Sequence, residues 1–330
     1  MDQRKQEHIT LALQQAQIEQ SPFDQFSFSH TALPEVDFCA IDTNYLFLGK
    51  HLSFPLVVAS MTGGTELAKT INIRLARLCQ QYSLALGVGS QRIALEKKEC
   101  ESSFKVRSFA PDIVLMGNLG AVQLNYGYTS KQLNDAISMI DADALFLHLN
   151  PLQEAIQPEG NANFVGLIQK IADCIPLTKK PLIIKEVGNG ISKDVAQQLF
   201  AIGIRYIATE GRGGTNWALI EGERSKTTIG KTLQHWGIPT PESIRACSSI
   251  SGLTVIGGGG IRNGLDAAKA FALGADLVSV GKPLLEAVMV SYEQAALFLD
   301  AFIKECKIVL FCTGCKTIRE LREKGETLLH

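Results

Sequence analysis

Short runs of Val, Ile, Leu and Ala recur eight times along the chain, and each gives way to glycines or to polar residues able to hold a ligand. The runs occupy residues 56–59, 84–88, 113–116, 144–147, 182–184, 206–208, 253–256 and 277–280. Runs this short, apolar on both faces, suit strands of a parallel sheet covered by helices on both sides. Helical stripes lie between them. Residues 66–82 place Leu67, Ile71, Leu75, Leu78 and Tyr82 on one face, and residues 193–202 do the same with Val195, Leu199 and Ile202. Regular alternation of strand and helix defines a parallel α/β protein. Periodicity alone also admits an open, doubly wound sheet, but the count of eight favours closure into a TIM (β/α)8 barrel. In such a barrel the chemistry gathers at the carboxyl ends of the strands.

Two stretches fall outside the repeat. Residues 1–53 form an amino-terminal extension, and residues 209–241 separate the sixth strand from its helix by far more than the usual ~2–6 residues. The second stretch is a candidate lid, and the 330 residues read as one decorated barrel domain.

Composition narrows the function classes. A formal net charge of -1 gives no basic footprint for nucleic acid. The polar residues 1–8 are unlike a secretory signal, and no apolar run approaches the roughly 20 residues of a membrane span, so a cytoplasmic protein is expected. Eight scattered cysteines read as reduced structural thiols; Cys312-Thr313-Gly314-Cys315 lacks the second pair or histidine of a zinc set.

Candidate chemistry starts with phosphate. Gly257-Gly258-Gly259-Gly260-Ile261-Arg262 follows the seventh run and precedes a helical segment, so backbone N–H groups and a helix amino end converge on one place. Gly281-Lys282-Pro283, after the eighth run, faces the same place, where barrels often bind phosphate. Two nucleotide motifs fail: no GxGxxG occurs, and Gly230-Lys231-Thr232 has Ser225 where a P-loop needs glycine. Lys185 ends an apolar strand and calls for an anionic or electron-rich partner, such as the N1–C2=O edge of a flavin; the bland alternative is a lysine that has reached solvent. Ser60, Thr62, Ser90, Asn118 and Thr215 put hydroxyls and amides at five other strand ends.

Taken together, these motifs resemble the type 2 isopentenyl diphosphate isomerases, FMN-dependent barrels that interconvert isopentenyl and dimethylallyl diphosphate. The resemblance covers nearly the whole chain. It is carried by Arg4-Lys5-x-x-His8, Ser60-Met61-Thr62-Gly63-Gly64, Gly89-Ser90-Gln91-Arg92, Gly117-Asn118-Leu119-Gly120, His148-x-Asn150-x-x-Gln153-Glu154, Lys185-Glu186-Val187-Gly188-x-Gly190-Ile191-Ser192, Gly213-Gly214-Thr215, Trp236-Gly237-Ile238-Pro239-Thr240 and Gly257–Gly260. The resemblance implies that Ser60, Met61, Thr62, Ser90, Asn118, Lys185, Thr215, Gly257, Gly258, Gly259, Gly260, Gly281 and Lys282 hold FMN. It further implies that Arg4, Lys5, Arg92, His148, Asn150 and Gln153 meet a diphosphate substrate, and that Glu154 contacts Mg2+, with NADPH as the reductant of the flavin. Gln153, His148 and Lys185 are the expected catalytic groups, with Gln153 near the reacting carbons. A homo-oligomer, tetramer or octamer, is expected.

On the residues alone, Arg4 and Lys5 also read as a solvated terminal pair, Arg92 as a partner of Glu96, His148 as a core histidine and Glu154 as a helix-start carboxylate. Two other functions compete with the isomerase: a 2-hydroxy-acid oxidase or dehydrogenase, which needs a histidine base and an arginine pair, and a catalytically silent phosphate or flavin binder.

Overall fold

The computed structural model describes residues 2–15 and 21–330, without the side chains of residues 2, 3, 4 and 6. Before the barrel come the helix Asp2–Gln14 and an antiparallel hairpin, β1 (Tyr45–Phe47) and β2 (Lys50–Leu52). Eight parallel strands then close on themselves in chain order: β3 (Leu56–Val58), β4 (Ala85–Gly87), β5 (Leu115–Gly120), β6 (Ala144–His148), β7 (Leu182–Lys185), β8 (Tyr206–Ala208), β9 (Thr254–Gly258) and β10 (Leu277–Val280). Closure is made by Val278 opposite Leu56 and Val280 opposite Val58. The barrel expected from the eightfold alternation is therefore the one observed, and the open sheet is excluded.

The helix Glu66–Tyr82 starts at Thr65, whose side chain accepts from the Ala68 N–H, and ends on Ser83 in the left-handed conformation. Its buried face runs through Ala68, Ile71, Leu75, Leu78 and Cys79, whereas Leu67 is exposed. Val195 is likewise exposed on the helix Lys193–Ala201. Both side chains sit in the first turn, where one residue of helical phase carries the stripe past the sheet.

The amino-terminal half of the barrel interior is apolar and plugged from below. Phe47 and Leu52 of the hairpin pack against Val57, Ala85, Met116, Ala144, Ile183, Ile256 and Leu277 from the strands. The stretch 209–241 is not a structureless loop. It contains the helices Trp217–Arg224 and Ile229–Thr232, and Arg212 forms an isolated bridge with Pro239 that pins its two ends together. The helix Trp217–Arg224 lies against the amino-terminal helix, so the extension and the excursion together roof the carboxyl ends of the strands.

Candidate functional site

A cavity of about 500 Å3 opens at those carboxyl ends. It is lined by Ser60, Met61, Thr62, Ser90, Asn118 and Thr215 on the side of the expected cofactor groups, together with Lys185, Gly259, Gly260, Gly281 and Lys282. Lys5, Arg92, His148, Asn150, Gln153 and Glu154 line it as well. The Arg4 side chain lies outside the described residues.

Two expected residues are placed differently. Gly257 and Gly258 belong to β9, paired with Val278 and Ser279, behind the cavity wall. A Cβ on Gly257 would meet Ile244 and Ala275, so this glycine serves packing between the strand and its covering helices. The loop that turns over the cavity is Gly259-Gly260, with φ of 104° and 77°, where a side chain would be strained and would run into Gly211 and Gly213.

Asn118 is held by Gln91. The Asn118 N–H donates to Gln91 Oε1 at 3.0 Å, and the Gln91 N–H donates to the Asn118 carbonyl at 2.8 Å. This frees the Asn118 side chain to accept from His148 Nδ1 at 2.9 Å. Burial, with the nearby Lys185 and Lys5 charges, pushes His148 down to about 3, so the imidazole is neutral in this site. Its core-histidine reading and its ligand reading meet in one position: one ring nitrogen is satisfied and the residue still faces the cavity.

Lys185 is buried, not at solvent. Its ammonium donates to the Glu186 carbonyl at 2.9 Å. Burial lowers its pKa, opposed by the Glu210 and Glu186 carboxylates. The Glu186 side chain accepts from the N–H groups of Val187 and Gly188 at 2.7 Å each, and from that of Asn189, which folds residues 187–189 into the cavity wall. Burial nevertheless pushes Glu186 up to about 7.

A chain of amides and carboxylates runs from the cavity lining to Glu221 behind it. Asn150 Nδ2 donates to Gln153 Oε1 at 3.0 Å and to Glu154 Oε1 at 2.9 Å. Gln153 Nε2 donates to Glu221 Oε1 at 2.9 Å. Both ends of the Gln153 amide are thus fixed, and its orientation follows. Glu221 stands 2.9 Å from His8 Nε2 and also pairs with Arg224. Burial pushes the Glu221 carboxyl up, but His8, Gln153 and Arg224 outweigh it and hold it below the usual range, so it is ionised. Burial lowers His8, with Lys5 and Arg224 adding to the effect against the pull of Glu221. Trp217 meets His8 edge to face with ring centroids 5.1 Å apart.

Glu154 and Arg92 are tied through Asn161. The Asn161 N–H donates to Glu154 Oε2 at 2.5 Å, and Asn161 Oδ1 accepts from Arg92 at 3.0 Å and from Gln123 at 3.0 Å. Arg92 also pairs with Glu96 at 2.9 Å, the bland partner expected from the sequence, while still lining the cavity. Glu221, Arg224, Trp217 and Asn161 carry no role in the sequence reading. The spacing of Trp217, Glu221 and Arg224 on one helical face was the available signal, obscured because the stretch read as a loop.

The site can take a ligand rich in heteroatoms. Ser60 Oγ, Thr62 Oγ1 and Asn150 Oδ1 are buried without a hydrogen-bond partner, a costly arrangement unless something supplies one. Among the described residues no group of three or more His, Cys, Asp or Glu is arranged to hold a metal ion. No helix among them is long and apolar enough to cross a membrane.

The closed parallel barrel and the polar cavity at its strand ends define a (β/α)8-barrel protein of the kind that builds its site from strand-end loops. The FMN-dependent dehydrogenase family model matches residues 167–327. By fold, the chain resembles a flavocytochrome b2 variant with pyruvate bound (TM-score 0.70, 18% identity, 98% of this chain and 82% of that one). It also resembles a putative lactate oxidase of Pediococcus acidilactici (TM-score 0.68, 16% identity, 97% and 84%).

Sequence comparison is more specific. Isopentenyl-diphosphate delta-isomerase of Nostoc sp. is 45% identical over 330 residues, 98% of this chain and 94% of the relative. The protein of the same name from Synechococcus sp. is 45% identical over 335 residues, 98% and 96%, and that from Rickettsia akari 40% over 326 residues, 96% and 95%. The chain belongs to the isopentenyl-diphosphate delta-isomerase family.

Proposed function

We propose that this protein interconverts isopentenyl and dimethylallyl diphosphate, using reduced FMN, with Mg2+ accompanying the diphosphate and NADPH supplying reducing equivalents. The observation that carries the reading is one cavity lined by the orphaned Ser60 and Thr62 hydroxyls, the buried Lys185, the cations Lys5 and Arg92, and a Gln153 amide fixed against Glu221. The relatives' shared name supplies the substrate.

FMN fits the hydroxyl, amide and glycine groups of this lining. Ser60, Thr62, Ser90 and Asn118 would face its heteroatoms, and Gly259, Gly260, Gly281 and Lys282 would take its phosphate. Lys185 would sit at the edge where the reduced ring carries negative charge. Bound there, reduced FMN supplies a proton donor and acceptor beside the alkene. Mg2+ fits as a cation carried largely by the substrate: Glu154 is a single carboxylate, and Mg2+ commonly takes one or two carboxylates plus phosphate oxygens. Lys5, Arg92 and His148, which line the same cavity, would meet the diphosphate. Arg4 joins them in this reading.

Moving the double bond adds a proton at one carbon and removes one two carbons away, through developing positive charge. Gln153 is a poor base, but its amide is locked by Asn150 and Glu221, so it orients the reacting carbons and relays charge from the ionised Glu221. The roof made by the amino-terminal helix and the helix Trp217–Arg224 excludes water from that cation. The whole chain 1–330 acts as one barrel domain, with 209–241 as the roof, in a cytoplasmic homo-oligomer, a tetramer or octamer.

Carbon NMR of labelled isopentenyl diphosphate, with purified protein, Mg2+, NADPH and FMN under anaerobic conditions, tests the reading. Dimethylallyl diphosphate should appear with flavin and not without it. A bound, reducible flavin with no conversion would reject it in favour of a 2-hydroxy-acid oxidase or a silent binder.

A further inference from the structure

Glu210 lies two residues beyond the end of β8, on the cavity wall, and has no part in the reaction as proposed. Its φ is +37°, a left-handed backbone uncommon for a residue with a side chain. Its carboxylate is stacked on Gly258: a Cβ on that glycine would stand 2.6 Å from the carboxyl carbon and from both oxygens. Gly258 therefore leaves room for the Glu210 carboxylate as well as for the strand. The Glu210 side chain has no hydrogen bond or ion pair among the described residues. Its electrostatic partner is Lys185, whose charged form it favours against burial.

Topology places this charge in the cofactor's path. The strands run β7, β8, β9 around the barrel, so Glu210 stands between Lys185 at the end of β7 and the Gly259-Gly260 turn after β9. On the FMN reading, the ring edge meets Lys185 and the phosphate meets the glycine turn, and Glu210 lies between the two. Beside a buried lysine, where charges are screened less than in bulk water, a carboxylate cancels part of the lysine's field at the ring.

We propose that Glu210 is an electrostatic counterweight to Lys185, limiting how strongly the pocket prefers the reduced, anionic flavin over the oxidised one. The proposal rests on the FMN reading. Lys185 draws negative charge onto the ring, Glu210 opposes it, and the strained backbone and the bare Gly258 keep the carboxylate in place.

The test is the midpoint potential of the FMN-loaded wild type, Glu210→Gln and Glu210→Gly, measured by reductive titration against an indicator dye, with FMN dissociation constants in both redox states. Both variants lose the charge, while only the glycine relieves the backbone. In each, the reduced-to-oxidised preference should rise about tenfold, which is about 30 mV for a two-electron couple. A potential equal to the wild type's in both variants overturns the counterweight and leaves FMN binding intact. A shift confined to Glu210→Gly also overturns it, because strain rather than charge would be responsible. A wild type that takes up no FMN rejects the FMN reading itself, and the counterweight with it.

Discussion

The two ends of the barrel share eight strands and differ in almost everything else. At the bottom, Phe47 and Leu52 close a wholly apolar interior, Phe47 meets Tyr206 edge to face, and Asp143 is shared by Lys50 and Arg107. At the mouth, Lys185 and Glu221 are buried and His148 is half-buried, and Ser60, Thr62 and Asn150 hold unpaired polar atoms. The bottom is complete as it stands, whereas the mouth is complete only with ligands. Stability and chemistry are thus placed at opposite ends of the same strands.

The largest effect expected from breaking this contrast is at the mouth. Glu221→Gln keeps the shape but removes the charge that orients Gln153 and His8, and kcat should fall about 10^2- to 10^4-fold with little change in melting temperature. At the bottom the reverse is expected: Phe47→Ala should cost about 3–5 kcal/mol in denaturant unfolding, with kcat per folded molecule retained. A variant pair that loses both properties together at either end would erase the distinction.

His148→Gln sharpens it further. On the proposed function His148 meets the diphosphate, and losing that charge-assisted contact, at about 1.5–3 kcal/mol, should raise KM roughly 10- to 150-fold while kcat changes less. The smallest effect is on acid stability. His148 is neutral in the fold, with its pKa pushed down to about 3, and the unfolded chain protonates it near 6.5. Between those values the unfolded state binds more protons, so stability falls as pH falls from about 6.5 towards 3. His148→Gln should flatten that slope in urea unfolding, measured at pH 6.5 and 4.5.

The mouth is more legible in the amino-acid sequence than the bottom. Strand ends are written in glycines and polar residues after apolar runs, so the order of residues alone places Ser60, Asn118, His148 and Lys185 at strand ends, and all four line the cavity. Asn118 and the first two glycines of 257–260 proved to lie within strands, because glycine and asparagine were read as breaks where the ladder carries on through them. The hairpin at 45–52 and the helices within 209–241 escaped, since three-residue strands and helices of four to eight residues leave little periodicity. Glu221 escaped for the same reason: its meaning comes from Gln153 and His8, which only the fold brings to it.

On the proposed function the mouth uses a flavin without net oxidation. The number of dimethylallyl diphosphate molecules formed per NADPH consumed, counted anaerobically in one sealed reaction, tests it most directly. Many product molecules should form for each NADPH, because one reduction of the flavin would serve repeated turnovers. A ratio fixed at one, or NADPH consumed with no product formed, would contradict it.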